Sequence, residues 1–89
     1  MAQIAFTDNL QRHVACPPRS VDGATVRDVL NAVFAEYPAL RSYIVDDQRR
    51  LRKHVNIFIN DALITDRLTL SDAVAPDDRV FVFQALSGG

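Results

Sequence analysis

The sequence predicts a single α+β domain, a small sheet with one amphipathic helix packed on one of its faces. The length of 89 residues suits one domain. Two segments, "KHVNIFIND" and "RVFVFQA", alternate as strands do, and "GATVRDVLNAVFAEYP" repeats its apolar residues at helical spacing. Because one helix covers only one face of a small sheet, we expect the other face to stay open.

The first elements predicted along the chain are two strands. "QIAFT" alternates apolar Ile4 and Phe6 with their neighbours, and Asp8 and Asn9 then indicate a turn. "RHVAC" predicts a second strand, antiparallel to the first. It should end at Cys16, because the two prolines that follow cannot donate ladder hydrogen bonds.

The main helix is the clearest element of the sequence. Its apolar stripe consists of Val26, Val29, Leu30, Val33, Phe34 and Tyr37. Thr25 is placed to cap the first turn, and Pro38 forbids continuation beyond Tyr37. The following "ALRSYIVDD" predicts a single helical turn packed beneath the main helix.

The second half of the chain predicts the rest of the sheet. "KHVNIFIND" turns Val55, Ile57 and Ile59 to one side and Asn56, Phe58 and Asn60 to the other. Asn60 and Asp61 predict a turn, "ALITDR" a short edge strand, and "LTLSDAVAPDD" a turn-rich connection. In "RVFVFQA", Val80 and Val82 share the core face.

Three phenylalanines should lie on the open face of the sheet. Phe58, Phe81 and Phe83 all occupy the strand positions opposite the core. Such residues form either an apolar docking patch for a partner protein or a second small core beneath a loop. The alternation of side chains along the strands does not decide between these two interpretations.

Composition and charge exclude several classes of function. The net charge of −1 at pH 7 gives the chain no general attraction to nucleic-acid phosphates or anionic lipid. No apolar run approaches the roughly 18 residues of a membrane-spanning helix. The start of the chain also lacks a basic region followed by an apolar segment, the mark of export. We therefore expect a cytoplasmic protein that binds neither nucleic acid nor a membrane.

The sequence offers little from which to build an enzyme active site. His13 and His54 are far apart and belong to no catalytic motif. Cys16, the single cysteine, cannot form an internal disulfide. No histidine or cysteine stands at metal-ligand spacing, and the acidic pairs at 46–47 and 77–78 suit solvated turns. The chain is therefore expected to be neither an enzyme nor a metal protein.

The run "RRLRKH" at residues 49–54 concentrates basic side chains. It follows two aspartates in a chain without net positive charge, and such a run beside a strand is usually a solvated face. If it binds a partner, an acidic protein surface fits better than nucleic acid.

The C-terminal "VFVFQALSGG" indicates a carrier. We expect residues 1–84 to form the domain and residues 85–89 a flexible tail, which reaches roughly 17 Å when extended. Gly88 and Gly89 have no Cβ, so they could enter a narrow active site of another protein. The reactive group would be the terminal carboxylate of Gly89, which needs activation, for instance by adenylation, before a nucleophile can attack it.

The element order, the strand "VNIFIND" and the ending "VFVFQALSGG" resemble the ubiquitin-like β-grasp sulfur carriers of the molybdopterin-synthase small-subunit and thiamine sulfur-carrier family. The resemblance covers the whole chain, and "LRKHVNIFIND" is similar to the carriers of cysteine biosynthesis in particular. It implies a mixed sheet of four to five strands, with the first and last strands paired in parallel at the centre. It also implies that the chain itself binds no cofactor.

The resemblance further implies partners and site residues. An activating enzyme of the E1-like type would adenylate Gly89 with ATP and Mg²⁺, and a persulfide would supply sulfur to form a thiocarboxylate. A synthase would accept that sulfur for cysteine, molybdopterin or another metabolite, with the chain acting either free or as the small subunit of a transferase. Phe83 and Leu86 match the apolar residues that such carriers present to these enzymes, and strand parity adds Phe81 and Phe58.

Two other functions fit the same residues. A ubiquitin-like modifier would join Gly89 to an amine of a target protein, and Lys53, as the one lysine, would leave little scope for self-linked chains. A plain β-grasp interaction module would keep its function without Gly88 and Gly89.

Overall fold

The computed structural model describes residues 1–12 and 14–84. Within them the strands are β1 (Ala2–Phe6), β2 (Arg19–Val21), β3 (Val55–Ile59), β4 (Ala62–Leu63) and β5 (Arg79–Gln84). They form one sheet in the order β2-β1-β5-β3-β4. The pair β1–β5 is parallel and the other pairs are antiparallel. This confirms the mixed sheet and the central parallel pair.

The helices of this part of the chain are α1 (Asp8–Gln11), α2 (Val26–Glu36) and α3 (Arg41–Ile44). A 3-10 turn at Pro38–Leu40 joins α2 to α3. The main helix and the helical turn after it were both predicted, and the end of α2 one residue before Tyr37 agrees with the block at Pro38.

The core lies between α2 and the inner face of the sheet. It includes Ile4, Phe6, Val55, Ile57, Val80 and Val82 from the strands and Val26, Val29, Leu30 and Val33 from the helix. Phe34 and Ile59 pack against this core but remain partly exposed. Leu40 and Ile44 of the short helical segment are fully buried, so that segment closes the main core and leaves the opposite sheet face uncovered.

The start of α2 is fixed by hydrogen bonds to its free N–H groups. Thr25 Oγ1 accepts from the Asp28 N–H at 3.2 Å, the predicted cap. The N–H groups of Val26 and Arg27 donate to the carbonyls of Asp72 and Leu70 at 3.0 and 2.9 Å. The segment before β5 therefore anchors the helix to the sheet.

The prediction of a strand in "RHVAC" is wrong. Asp8 and Asn9 begin helix α1 rather than a turn, and the N–H groups of Arg12 and Val14 still donate to the carbonyls of Asp8 and Leu10. Because their donors are used by this helical turn, these residues are unavailable to a strand. The partner of β1 forms after the prolines instead, where Ile4 pairs with Arg19.

In the described part of the chain, no helix has both the length and the apolar character that crossing a membrane requires.

Candidate functional site

Helix α1 fixes the end of β5. The side-chain amide of Asn9 donates to Gln84 Oε1 at 3.0 Å, and the Gln84 N–H donates to Thr7 Oγ1 at 3.3 Å. The Thr7 N–H in turn donates to the carbonyl of Val82 at 3.1 Å. Gln84 is the last described residue, so these bonds set the position from which the predicted tail starts.

Three of the predicted site residues, Leu86, Gly88 and Gly89, lie outside the described residues. Their roles, and the division of the chain into a domain at 1–84 and a tail at 85–89, stay predictions.

An apolar row crosses the outer face of the sheet. Phe81 of β5 pairs with Phe58 of β3 and, on its other side, with Ala5 of β1. Phe58 also pairs with Leu63 of β4. Side chains paired in this way lie about 5 Å apart at Cβ, so the register brings residues from four strands into one continuous row.

The outer-face patch, which we define as Phe58, Leu63, Phe81 and Phe83, is open. Phe81 is 38% exposed, Phe83 41% and Leu63 55%, while Phe58 is half-buried between its neighbours. The structure therefore brings the three predicted phenylalanines together. Within residues 1–12 and 14–84 no loop buries Phe81 or Phe83, so this part of the chain forms no second small core over them.

Sequence reasoning missed Leu63 in this patch. The signal was present, since a two-residue turn at Asn60 and Asp61 fixes the hairpin register. That register pairs Ile59 with Ala62 and Phe58 with Leu63, which places Leu63 on the outer face.

The patch adjoins polar groups at the point where β5 ends. Phe83 pairs across the sheet with Asn56, whose Oδ1 accepts from Arg67 Nη1 at 2.9 Å. On its other side Phe83 lines a shallow cavity of about 270 Å³ together with Asn9 and Gln84. This combination of an apolar centre and a hydrogen-bonding rim is typical of a protein-binding surface.

The residues that could have carried other chemistry do not form a site. Cys16 is buried, and this burial raises the pKa of its thiol, as expected of a structural cysteine. His54 is half-buried, whereas His13 lies outside the described residues. No group of histidine, cysteine and carboxylate side chains suitable for a metal ion occurs at residues 1–12 and 14–84.

Asp66 and Asp72 stabilise turns through hydrogen bonds. Asp66 accepts hydrogen bonds from the side chains and N–H groups of Ser71 and Thr69, and these bonds lower the pKa of its carboxyl. Asp72 accepts from the N–H groups of Thr65 and Asp66, which lowers its pKa as well. These carboxylates order the segment that anchors α2, so they serve the fold.

Two arginines of the basic run form contacts with nearby residues. Arg50 pairs with Asp46 at 3.1 Å, and Arg52 Nε donates to the carbonyl of Ser42 at 2.7 Å. Arg49 forms no ion pair with any residue that the structure describes, and it lies at a positive φ of 63°.

Comparison of the sequence with known protein families finds a match over most of the chain. Residues 17–89 match the ThiS family. Small archaeal modifier protein 1 of Haloferax volcanii is 37% identical over 70 residues, which cover 78% of this chain and 76% of that protein.

Solved structures agree on the fold. The crystal structure of SAMP1 from Haloferax volcanii superposes with a TM-score of 0.79 at 30% identity, over 99% of this chain and 98% of that one. A chain of the Amycolatopsis orientalis BexX/CysO complex superposes with a TM-score of 0.83 at 21% identity, over the full length of both. These similarities identify the architecture as a ubiquitin-like β-grasp.

Proposed function

Because the chain belongs to the ThiS family, we propose that it is a sulfur carrier whose Gly89 carboxylate is adenylated by a partner enzyme and converted to a thiocarboxylate. The thiocarboxylate donates sulfur in the biosynthesis of cysteine, molybdopterin or another sulfur-containing metabolite. ATP and Mg²⁺ are bound by the activating enzyme. The chain supplies the carboxylate and the docking surface, so it is a co-substrate.

One observation carries this proposal: the family match runs through residue 89, so the two terminal glycines belong to the matched segment. An α-carboxylate such as that of Gly89 is ionised at neutral pH and resists nucleophiles. Attack of this carboxylate on the α-phosphate of ATP releases pyrophosphate and gives an acyl adenylate. The outer sulfur of a persulfide can then displace AMP at the carbonyl carbon to give an acyl disulfide. A second thiol attacks the inner sulfur of that disulfide, is itself oxidised to a disulfide with the former persulfide thiol, and releases the thiocarboxylate.

The outer-face patch supports the same function, because two of its four residues, Phe81 and Phe83, lie on β5, the strand that precedes the predicted tail. Phe83 is the residue before Gln84, and the five residues after Gln84 span roughly 17 Å when extended. An enzyme bound to Phe81 and Phe83 could therefore receive the tail in its active site. The bonds from Asn9 and Thr7 hold Gln84, the last described residue, in place.

A second candidate function is protein modification, favoured by the relatives that are named small archaeal modifier proteins. Activation of Gly89 would be the same, but an amine of a target protein would replace the persulfide as nucleophile. Lys53 is the one lysine of the sequence, so a chain of linked copies would have a single internal attachment point.

The experiment that tests the proposal is intact-mass analysis of the protein isolated from its native host under sulfur-rich and sulfur-poor conditions. A carrier shows replacement of one oxygen by sulfur, which tandem fragmentation places at Gly89. A variant without Gly88 and Gly89 is the matched control and should show no such species.

Other outcomes would contradict the proposal. A branched peptide joining Gly89 to a lysine, without any thiocarboxylate, favours the modifier. An unmodified terminus under both conditions, together with full function of the truncated variant, favours a plain interaction module.

A further inference from the structure

The helix side of the molecule carries a groove, here called the arginine groove. Arg27 of α2, Arg41 of α3 and Arg49 of the following turn all line it. Its floor is apolar and includes Leu30 and the partly exposed Phe34. The cavity at Arg27 and Leu30 holds only about 20 Å³. It adjoins an open cavity of about 380 Å³, lined by Asn31, Phe34, Ala35, Pro38, Arg41 and Arg49.

The arginines of this groove form no ion pair within the described residues. The ion pairs found there are Arg19 with Glu36 and Arg50 with Asp46, and neither involves an arginine of the groove. Arg27, Arg41 and Arg49 are all exposed. Three like charges around one apolar floor repel one another, so an anionic group that entered the groove would be attracted to all of them.

The turn that carries Arg49 is ordered in advance. Asp46 Oδ1 accepts from the N–H groups of Gln48 and Arg50 at 2.9 and 3.0 Å, and Oδ2 accepts from Arg50 Nε. Arg49 lies between them at a φ of 63°, a left-handed conformation that favours glycine or asparagine. The hydrogen bonds of the neighbouring residues hold the backbone in this conformation and so keep Arg49 at the rim of the groove. The left-handed conformation costs free energy that an exposed arginine in an ordinary conformation would not lose.

We propose that the arginine groove binds an acidic segment of a partner protein, with an apolar side chain on Phe34 and carboxylates at Arg27, Arg41 and Arg49. Guanidinium groups bind carboxylates through paired hydrogen bonds, and the groove offers both charge and an apolar floor. The open cavity beside Arg41 and Arg49, with about 380 Å³, has room for a few side chains of a peptide. Nucleic acid fits less well, because the chain has a net charge of −1 and the exposed Asp47 lies two residues from Arg49.

The position of the groove gives it a role separate from that of the tail. Helix α2 covers the inner face of the sheet, whereas Phe81 and Phe83 lie on the outer face. One partner can therefore occupy the groove while another engages the outer-face patch. This inference does not depend on activation of Gly89.

The test is fluorescence anisotropy with a labelled octapeptide of alternating glutamate and leucine, at low ionic strength. Arg41→Gln and Arg49→Gln should each weaken binding by about two- to fivefold, the range of a partly exposed ion pair. Arg79→Gln removes the same charge at the start of β5 and should leave binding unchanged. Amide NMR shifts of the wild type should move along α2 and at Arg49.

Four results would overturn the proposal. Equal binding of a peptide with glutamine in place of glutamate would remove the role of charge. An equal loss in Arg79→Gln would indicate diffuse attraction rather than a groove. Tighter binding of a single-stranded octanucleotide would show that nucleic acid is the better partner. NMR shifts confined to the outer-face patch would show that the peptide binds there and not in the groove. Rates of Gly89 activation are unaffected in each variant if the groove is a separate site, so the two proposals fail independently.

Discussion

Replacing Phe83 by alanine should weaken docking to the activating enzyme without unfolding the protein. A phenylalanine side chain buries about 150–250 Å² when fully covered, and 41% of Phe83 is still exposed. A partner can thus remove roughly 60–100 Å² from water, worth about 1.5–2.5 kcal/mol at 25 cal/mol per Å². That corresponds to about a ten- to seventyfold loss of affinity. Phe83→Asp, which would also place a charge in the interface, should abolish docking.

The assay is ATP–pyrophosphate exchange by the activating enzyme at varied concentrations of the carrier. We expect Phe83→Ala to raise KM with kcat nearly unchanged, because the side chain contributes to binding and not to the reacting carboxylate. Leu68→Ala is the matched control, since Leu68 is 65% exposed but lies outside the patch. Urea unfolding of each variant checks the fold. If Phe83→Asp is adenylated as fast as the wild type, the assignment of the outer face as the docking surface is wrong.

Two further predictions concern the fold that holds this surface. Thr25→Ala removes the cap of α2 and should lower the free energy of unfolding by about 1 kcal/mol in urea titrations, whereas Thr25→Ser should retain most of it; equal losses would contradict a capping role. The pKa of Asp66 is lower in the folded protein than its ordinary value of 3.8. Its ionised carboxylate therefore stabilises the fold fully at a pH well above 3.8, and this stabilisation is lost as the pH falls through the folded pKa. Below about pH 4 the Tm of the wild type should therefore fall more steeply than that of Asp66→Asn, as followed by circular dichroism; parallel curves would refute this.

Local patterns predicted most elements and the faces they present. The stripe from Val26 to Val33 and the alternation in β3 and β5 are each set within a few residues, so they could be read without knowledge of the rest of the chain. The error at "RHVAC" arose where a local pattern was short. The five residues of strand-like composition were overruled by the hydrogen bonds of α1, which continue to Val14.

The candidate site was predictable in part. Phe58, Phe81 and Phe83 followed from strand parity, and their exposure followed from the presence of one main helix. Leu63 required the hairpin register, a pairing across two strands. The bonds that hold Gln84 required the packing of Asn9 and Thr7 against β5, across 75 and 77 positions of sequence.

The sequence by itself determined which residues are apolar on each face and where α2 begins and ends. These features depend on spacing and capping, which are local. The tertiary structure alone decided that β5 lies between β1 and β3, and that three arginines from three segments share one groove. Such features depend on pairing and packing between distant residues, whose free energy no single segment contains.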